Sequence, residues 1–204
     1  AGRQGSRLRR LMAPRMIVVA GPPGSGKSSL YPLSSFNVEY FNADDRAAEL
    51  NGGSYIGISN EIRKIVNGEF EAFILGCIER GVSFAIETTL RSDVTFKQAH
   101  MAKQAGFVVE MRYLALRDFR LHLERVKARA DAGGHSASEG TLRRIYDASL
   151  MNLRRAVEEL DIVWIYDNTD LDASHPLVLE TRDGEIHFVA DRPPDWLKAA
   201  LDLS

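Results

Sequence analysis

The feature that most constrains this chain is the glycine-rich stretch Gly21–Ser28, which directly follows the apolar run Met16–Ala20. It matches the pattern G-x-x-x-x-G-K-[ST] at every specified position. An apolar run rich in β-branched residues is typical of a strand buried on both faces of a parallel sheet, and a helix is expected to begin at Lys27. The sequence therefore predicts a phosphate-binding loop between the first strand and the first helix.

This loop defines the predicted nucleotide site. Its glycines allow successive N–H groups to turn inward toward phosphate oxygens, and the start of the following helix adds the positive end of its dipole. Lys27 is expected to reach the β- and γ-phosphates of ATP or GTP, and the Ser28 hydroxyl is expected to ligate Mg²⁺. The predicted nucleotide-binding residues are Gly21, Pro22, Pro23, Gly24, Ser25, Gly26, Lys27, Ser28 and Ser29.

Strand-like and helix-like segments alternate along the rest of the chain. Further strands are predicted at 38–41, 82–86, 107–116 and 162–166, and helices at 44–50, 59–78, 92–104, 117–130, 142–160 and 195–201. A hairpin is predicted at 177–189 around Asp183-Gly184. This order predicts an α/β P-loop kinase fold of three layers, with a mainly parallel sheet, helices on both faces and a C-terminal β-hairpin. Residues 16–204 are expected to form a single domain.

Composition bears on partners and compartment. The formal net charge of −2 gives no overall attraction to nucleic acid or to an anionic membrane. No apolar run approaches transmembrane length and no signal peptide precedes the first strand, so a cytoplasmic protein is expected. Residues 1–15 carry five arginines and are expected to be a flexible basic terminus or an expression remnant, with a nucleic-acid arm as the alternative.

Carboxylates follow the second predicted strand, at the sheet edge where the phosphate-binding loop also lies. Transfer of a phosphoryl group to a hydroxyl needs a carboxylate that takes the proton, and we expect Asp44 to be this base, with Asp45 second. Asn42, Asp44 and Asp45 are equally good residues for capping the next helix. The sequence alone leaves the roles of base and cap open between them.

Three residues after the third strand and one in a later loop complete the predicted substrate side. Glu87 is expected to orient Mg²⁺ or its water, although an exposed glutamate at a strand end is the alternative. Thr88 and Thr89 are expected to bind substrate or to cap the next helix. His135 lacks partner histidines or cysteines at ligand spacing, which favours a substrate contact or a loop hydrogen bond over a metal site.

A basic helix and the glycine-rich loop after it form the predicted lid, at about 117–145. His122, Arg125 and Arg129 share one helix face at three- and four-residue spacing, and Arg144 begins the next helix. Arg125 is expected to bind substrate, and Arg129 and Arg144 are expected to be catalytic. Arginines on a closing lid neutralise the charge that phosphoryl transfer spreads over the equatorial oxygens. A solvated basic face paired with carboxylates is the alternative.

In this order the motifs resemble those of the zeta toxin family of P-loop kinases, especially its short members. The matching segments span residues 16–166: the phosphate-binding loop, Asn42-Ala43-Asp44, Phe84–Leu90, Arg125–Arg129, Gly133-Gly134-His135, Arg143-Arg144-x-Tyr146 and Ser149-Leu150-x-Asn152-Leu153. By this resemblance Lys27 is the phosphate lysine, Asp44 the base and Glu87 the site glutamate. Arg129 and Arg144 are the lid arginines.

The resemblance implies a small-molecule kinase that uses ATP or GTP, and in the toxin members the acceptor is UDP-N-acetylglucosamine. It also implies a small helical antitoxin that blocks the nucleotide cleft. The chain departs from the family pattern at two places. Ala137-Ser138 replaces a Val-Pro pair, and Ile145 replaces a third arginine. The competing interpretation is a P-loop ATPase or nucleotide switch that acts through a protein partner. The arginine-rich lid disfavours that interpretation, because it suits phosphoryl transfer away from water.

Overall fold

The computed structural model describes residues 13–131, 137–170 and 175–203, and within them a seven-stranded sheet forms the centre of the molecule. The strands are β1 (Arg15–Ala20), β2 (Glu39–Phe41), β3 (Phe84–Thr88), β4 (Val108–Ala115), β5 (Ile162–Asp167), β6 (Leu177–Arg182) and β7 (Glu185–Val189). Their order in space is β2-β3-β1-β4-β5-β6-β7. The first five strands in this order are parallel, and the hairpin β6–β7 extends the same sheet in antiparallel pairing.

Helices connect the parallel strands. In the described part of the chain they are α1 (Lys27–Leu30), a 3₁₀ turn (Leu33–Phe36), α2 (Ala43–Leu50), α3 (Asn60–Arg80), α4 (Val94–Gln104), α5 (Phe119–Asp131), α6 (Glu139–Glu159) and α7 (Asp195–Leu201). Ser59 and Ser138 cap α3 and α6, since each hydroxyl accepts a hydrogen bond from a first-turn N–H. None of these helices is long and apolar enough to span a bilayer.

The core consists of two apolar clusters, a larger one on one side of the sheet and a smaller one on the other. Alternate residues of β1 enter opposite sides of the sheet, with Met16 and Val18 on one side and Ile17 and Val19 on the other. Side chains of α3, α4, α6 and α7 cover the first side, whereas α1 and the 3₁₀ turn supply the smaller cluster on the second. The predicted α/β fold, with its mainly parallel sheet and C-terminal hairpin, is confirmed.

Two elements determine the local geometry of the functional edge. The helix predicted to begin at Lys27 does begin there and is a single turn, because Pro32 follows and Tyr31 leaves the helical region at φ −130°. The loop N–H groups, rather than a long helix dipole, must therefore dominate any phosphate binding. Strand β3 also continues through Thr88, so Glu87 lies within the strand rather than after it.

Candidate active site

The phosphate-binding loop and Glu87 meet because β1 and β3 are parallel neighbours. Val19 pairs with Glu87 in the register of these strands, and the chain enters the loop two residues later, at Gly21. The Ser28 hydroxyl donates a hydrogen bond of 2.9 Å to Glu87 Oε2. Lys27 Nζ lies 3.8 Å from the other carboxylate oxygen, Oε1. Lysine, serine and glutamate thus converge on one point at the carboxyl edge of the sheet.

Lys27 is the buried cation at this point, with only 7% of its surface exposed. Its ammonium group donates to the carbonyl oxygens of Gly21 at 2.9 Å and Pro22 at 3.3 Å. Burial lowers the pKa of Lys27, the carboxylates of Glu87 and Asp44 oppose this effect, and the charge of Arg129 adds to it. Asp44 and Arg129 therefore lie close enough to Lys27 for their charges to act on it.

The structure separates the roles that the sequence leaves open at 42–45. Asn42 is the cap of α2, because its Oδ1 accepts hydrogen bonds from the backbone N–H groups of Asp44 and Asp45. The Asp45 carboxylate is held on both sides, by Asn42 Nδ2 at 2.7 Å and by the Tyr55 hydroxyl at 2.8 Å. The carboxylate of Asp44 is exposed and makes no hydrogen bond to the described residues. Asp44 is thus the carboxylate left available to a substrate.

The two threonines after Glu87 are placed differently. The Thr88 hydroxyl accepts from the backbone N–H of Leu90 at 3.1 Å and lies 3.3 Å from Thr95 Oγ1. Leu90 is buried at φ +56°, and Asn152 Nδ2 donates to its carbonyl oxygen. Thr88 therefore holds a tight turn between β3 and α4. The partly exposed side chain of Thr89 makes no hydrogen bond to the described residues.

The predicted lid residues occupy three different environments. Arg125 donates to the backbone carbonyl of Thr169 after β5 at 2.8 Å, so it fastens α5 to the sheet edge. Arg129 is exposed near Lys27, and Arg144 donates to Thr141 Oγ1 at 3.2 Å in the first turn of α6. His135 lies outside the described residues.

His122 lies in a different environment from the one that the sequence predicts. Its spacing with Arg125 and Arg129 predicts a place on the basic face of α5, but it is 2% exposed and lies against the phosphate-binding loop. Its Nε2 accepts from the backbone N–H of Leu116 at 3.1 Å, which leaves the proton on Nδ1 to donate to the carbonyl of Pro23 at 3.0 Å. His122 lies three residues after Phe119 and four before Val126, and this spacing indicates that it belongs to the buried, apolar stripe of α5.

Asn168 is a second residue that the sequence analysis missed. It follows β5 directly, and its Nδ2 donates to the carbonyl of Ser25 at 2.8 Å from behind the loop. Its side chain is buried, and a Cβ on Gly26 would lie 2.3 Å from its Nδ2. The two partners are 143 residues apart in the chain, with strands β2 to β5 between them, so no local pattern in the sequence predicts the contact.

The residues at this edge suit a divalent cation shared with phosphate. Ser28 and Glu87 already place a hydroxyl and a carboxylate side by side, and hard oxygen ligands of this kind are those that Mg²⁺ prefers. Among the described residues no group of three or more histidines, cysteines or carboxylates could hold a metal alone. Such a site fits Mg²⁺, which protein sites usually hold with one or two carboxylates plus substrate phosphates.

Comparison of sequences gives a distant relative of this chain. No protein-family model matches the chain. An uncharacterised protein of Haemophilus influenzae is 26% identical over 137 residues, which cover 67% of this chain and 95% of that one.

Two solved structures are similar over most of the chain. A chain from the PezAT chromosomal toxin–antitoxin system of Streptococcus pneumoniae has a TM-score of 0.64 and 18% identity, over 97% of this chain and 89% of that one. A chain from the crystal structure of AvrRxo1-ORF1:ORF2 with ATP has a TM-score of 0.66 and 15% identity, over 90% of this chain and 66% of that one. These similarities confirm the fold that the resemblance to the zeta toxin family predicts.

Proposed function

We propose that this chain is a phosphotransferase that moves the γ-phosphoryl group of ATP or GTP to an alcohol hydroxyl of a small molecule. The observation that carries this proposal is the arrangement at the phosphate-binding loop, where the Glu87 carboxylate lies 3.8 Å from the buried ammonium of Lys27 and accepts a hydrogen bond from Ser28. The charges of Asp44 and Arg129 also act on Lys27. The presence of ATP in one structurally similar protein supports the nucleotide assignment.

Each residue then has a separate task. The loop N–H groups and Lys27 hold the β- and γ-phosphates, which positions the reacting phosphorus. Ser28 and Glu87 would hold Mg²⁺, which when bound neutralises charge on the phosphate oxygens. Asp44 orients the acceptor hydroxyl and takes its proton as the oxygen attacks phosphorus. Arg129 stabilises the negative charge of the transferring group.

The acceptor and the partner follow from the resemblance noted above. We propose a nucleotide sugar as acceptor, with UDP-N-acetylglucosamine first among the candidates. We also propose that the protein acts in the cytoplasm. A small helical antitoxin is the proposed protein partner. One structurally similar chain belongs to a toxin–antitoxin system, which supports this part of the proposal.

The test is a product screen. The protein is incubated with Mg²⁺-ATP and a library of nucleotide sugars, monosaccharides and nucleosides, and products that have gained one phosphoryl group are identified by mass spectrometry. We expect one acceptor class to be phosphorylated by the wild type and not by Lys27→Ala. Free phosphate as the only product across the library would contradict the proposal and favour an ATPase or nucleotide switch.

A further inference from the structure

The loop between α2 and α3 carries an exposed aromatic ring with a fixed polar end. The Tyr55 hydroxyl donates to Asp45 Oδ1 at 2.8 Å, while 39% of the residue is exposed. Its neighbour Ile56 is 62% exposed, and Leu50 at the end of α2 is 39% exposed. An aromatic ring held in this way loses little conformational freedom when a ligand packs on it.

The loop that holds this ring is well ordered by its own hydrogen bonds. Asn51 Nδ2 donates to the carbonyl oxygens of Ser54 at 2.8 Å and Ile56 at 2.9 Å. The backbone N–H of Gly53 donates to the carbonyl of Ala48 at 2.8 Å. These hydrogen bonds fix the loop to the C-terminal end of α2. The helix that carries Asp44 therefore also sets the position of Tyr55.

Asp44 lies beside Asp45 in the first turn of α2, and Asp45 accepts the hydrogen bond of the Tyr55 hydroxyl. The hydrogen bond to Asp45 is the main cause of the raised pKa of Tyr55, and Asp44 raises it further. Asp44 also raises the pKa of Lys27 against the effect of burial. The carboxylate of Asp44 therefore acts on both groups.

We propose that Tyr55 is the specificity-determining platform for the acceptor, and that it stacks on a ring of the acceptor molecule. This proposal rests on the proposed function, because a hydroxyl within about 3 Å of Asp44 leaves the rest of its molecule to extend over the adjoining residues. The ring that stacks is either a planar nucleobase or the apolar face of a sugar. Both present a flat, partly apolar surface that matches an aromatic face.

The test is direct binding, which does not depend on turnover. Nucleosides, nucleoside diphosphates, monosaccharides and nucleotide sugars are titrated into the protein loaded with Mg²⁺ and a non-hydrolysable ATP analogue. The variants are Tyr55→Ala and Tyr55→Phe, with Met151→Ala as the control, since Met151 is 79% exposed on α6. Affinity for the ATP analogue serves as the internal check that each variant is folded.

Stacking and loop anchoring predict different results. If Tyr55 stacks, Tyr55→Ala weakens binding of the ring compound about tenfold or more, whereas Tyr55→Phe, which keeps the ring, stays within about threefold of wild type. If Tyr55 only anchors the loop through Asp45, both variants lose binding equally, and the proposal is overturned. It is also overturned if no ring compound binds, or if Tyr55→Ala binds as well as wild type.

Fragments identify the ring. Uridine and uridine diphosphate respond to Tyr55→Ala if the base stacks, and N-acetylglucosamine responds if the sugar does. A compound that binds through Tyr55 but gains no phosphoryl group would support the platform while contradicting the proposed kinase activity. The two proposals can therefore fail separately.

Discussion

At the scale of single residues, Lys27 is the side chain on which the proposed chemistry most depends. Its ammonium is buried among backbone carbonyls and faces Glu87, so no exposed lysine can take its place. We predict that Lys27→Ala lowers kcat/KM by about 100-fold or more, as is typical when a group that stabilises developing charge is removed. Lys97→Ala, which removes an exposed lysine of α4, should have no effect in the same steady-state assay.

His122 gives a prediction about stability and pH. Burial is the main cause that lowers the pKa of His122 to about 4; the charges of Lys27 and Arg125 act in the same direction, while the hydrogen bond to Pro23 and the charge of Asp118 oppose them. Because this value lies below the ordinary 6.5, the neutral ring contributes its stability fully above pH 6.5. That contribution is lost as the pH falls from 6.5 toward 4, by up to about 3 kcal/mol.

The measurement is the free energy of unfolding of wild type and His122→Gln between pH 4 and 7.5. We expect the wild type to lose its advantage over the variant progressively below pH 6.5, since only the wild type has an imidazole that stays neutral in the folded state and gains a proton when the chain unfolds. Two curves that stay parallel over this range would show that His122 titrates normally.

The buried carboxylate of Glu110 in β4 gives a second stability prediction. It pairs with Arg15 and with Arg112, whose guanidinium lies 4.8 Å from the ring centre of Trp164. We predict that Glu110→Gln lowers the free energy of unfolding by about 2 kcal/mol, because hydrogen bonds to charged groups are worth about 1.5–3 kcal/mol each. Denaturant unfolding measures this loss, and an unchanged midpoint would show that the arginines find equivalent partners.

At the scale of elements, the phosphate-binding loop is shaped by contact with α5 as much as by its own glycines. Gly24 has φ +80°, and a Cβ there would lie 2.6 Å from the carbonyl oxygen of His122. Gly106 has a similar φ of +85°, but a Cβ there meets nothing within 4 Å among the described residues. The two positions therefore carry the same conformational strain and differ in the space around them.

We predict that Gly24→Ala disturbs both the loop and its contact with α5, and that Gly106→Ala costs only the strain of a left-handed alanine. The first variant should show nucleotide affinity lowered at least tenfold, and the second should bind nucleotide as the wild type does. Isothermal titration with an ATP analogue measures both. Equal affinities would show that α5 does not constrain the loop.

The same elements show what the sequence could predict. The phosphate-binding loop and most strands follow from local patterns, because β-branched runs and the G-x-x-x-x-G-K-S spacing need no tertiary information. The start of α1 at Lys27 also follows from this spacing, and Pro32 ends the helix after one turn. His122 was assigned to the wrong face of α5, and Asn168 was missed because its partner Ser25 is remote in the sequence.

The candidate site, too, could be predicted only in part from the sequence. The sequence brought Lys27, Asp44 and Glu87 to one edge, since parallel strands end on the same side of a sheet. It did not distinguish the capping residue from the available carboxylate, because asparagine and aspartate are equally suited to both tasks. The hydrogen bonds of Asn42 and Tyr55 made that distinction.

At the scale of the whole molecule, nucleotide binding should stabilise the fold through the loop that connects β1 to α1 and contacts α5. A ligand that binds only the folded state at about 100 times its Kd adds about 2.7 kcal/mol. We predict a rise in Tm with Mg²⁺ and an ATP analogue, and a smaller rise for Glu87→Gln or after chelation of Mg²⁺. Equal shifts with and without the metal would contradict the role assigned to Ser28 and Glu87.

We propose that these elements bring the carboxylate of Asp44, which makes no hydrogen bond to the described residues, to the hydroxyl that attacks the phosphoryl group. The most direct measurement compares formation of the phosphorylated acceptor by the wild type, Asp44→Asn and Asp45→Asn, with protein and nucleotide concentrations matched. We predict that kcat falls about 100-fold or more in Asp44→Asn and far less in Asp45→Asn, whose carboxylate is already bonded to Asn42 and Tyr55. Full turnover by Asp44→Asn would contradict it.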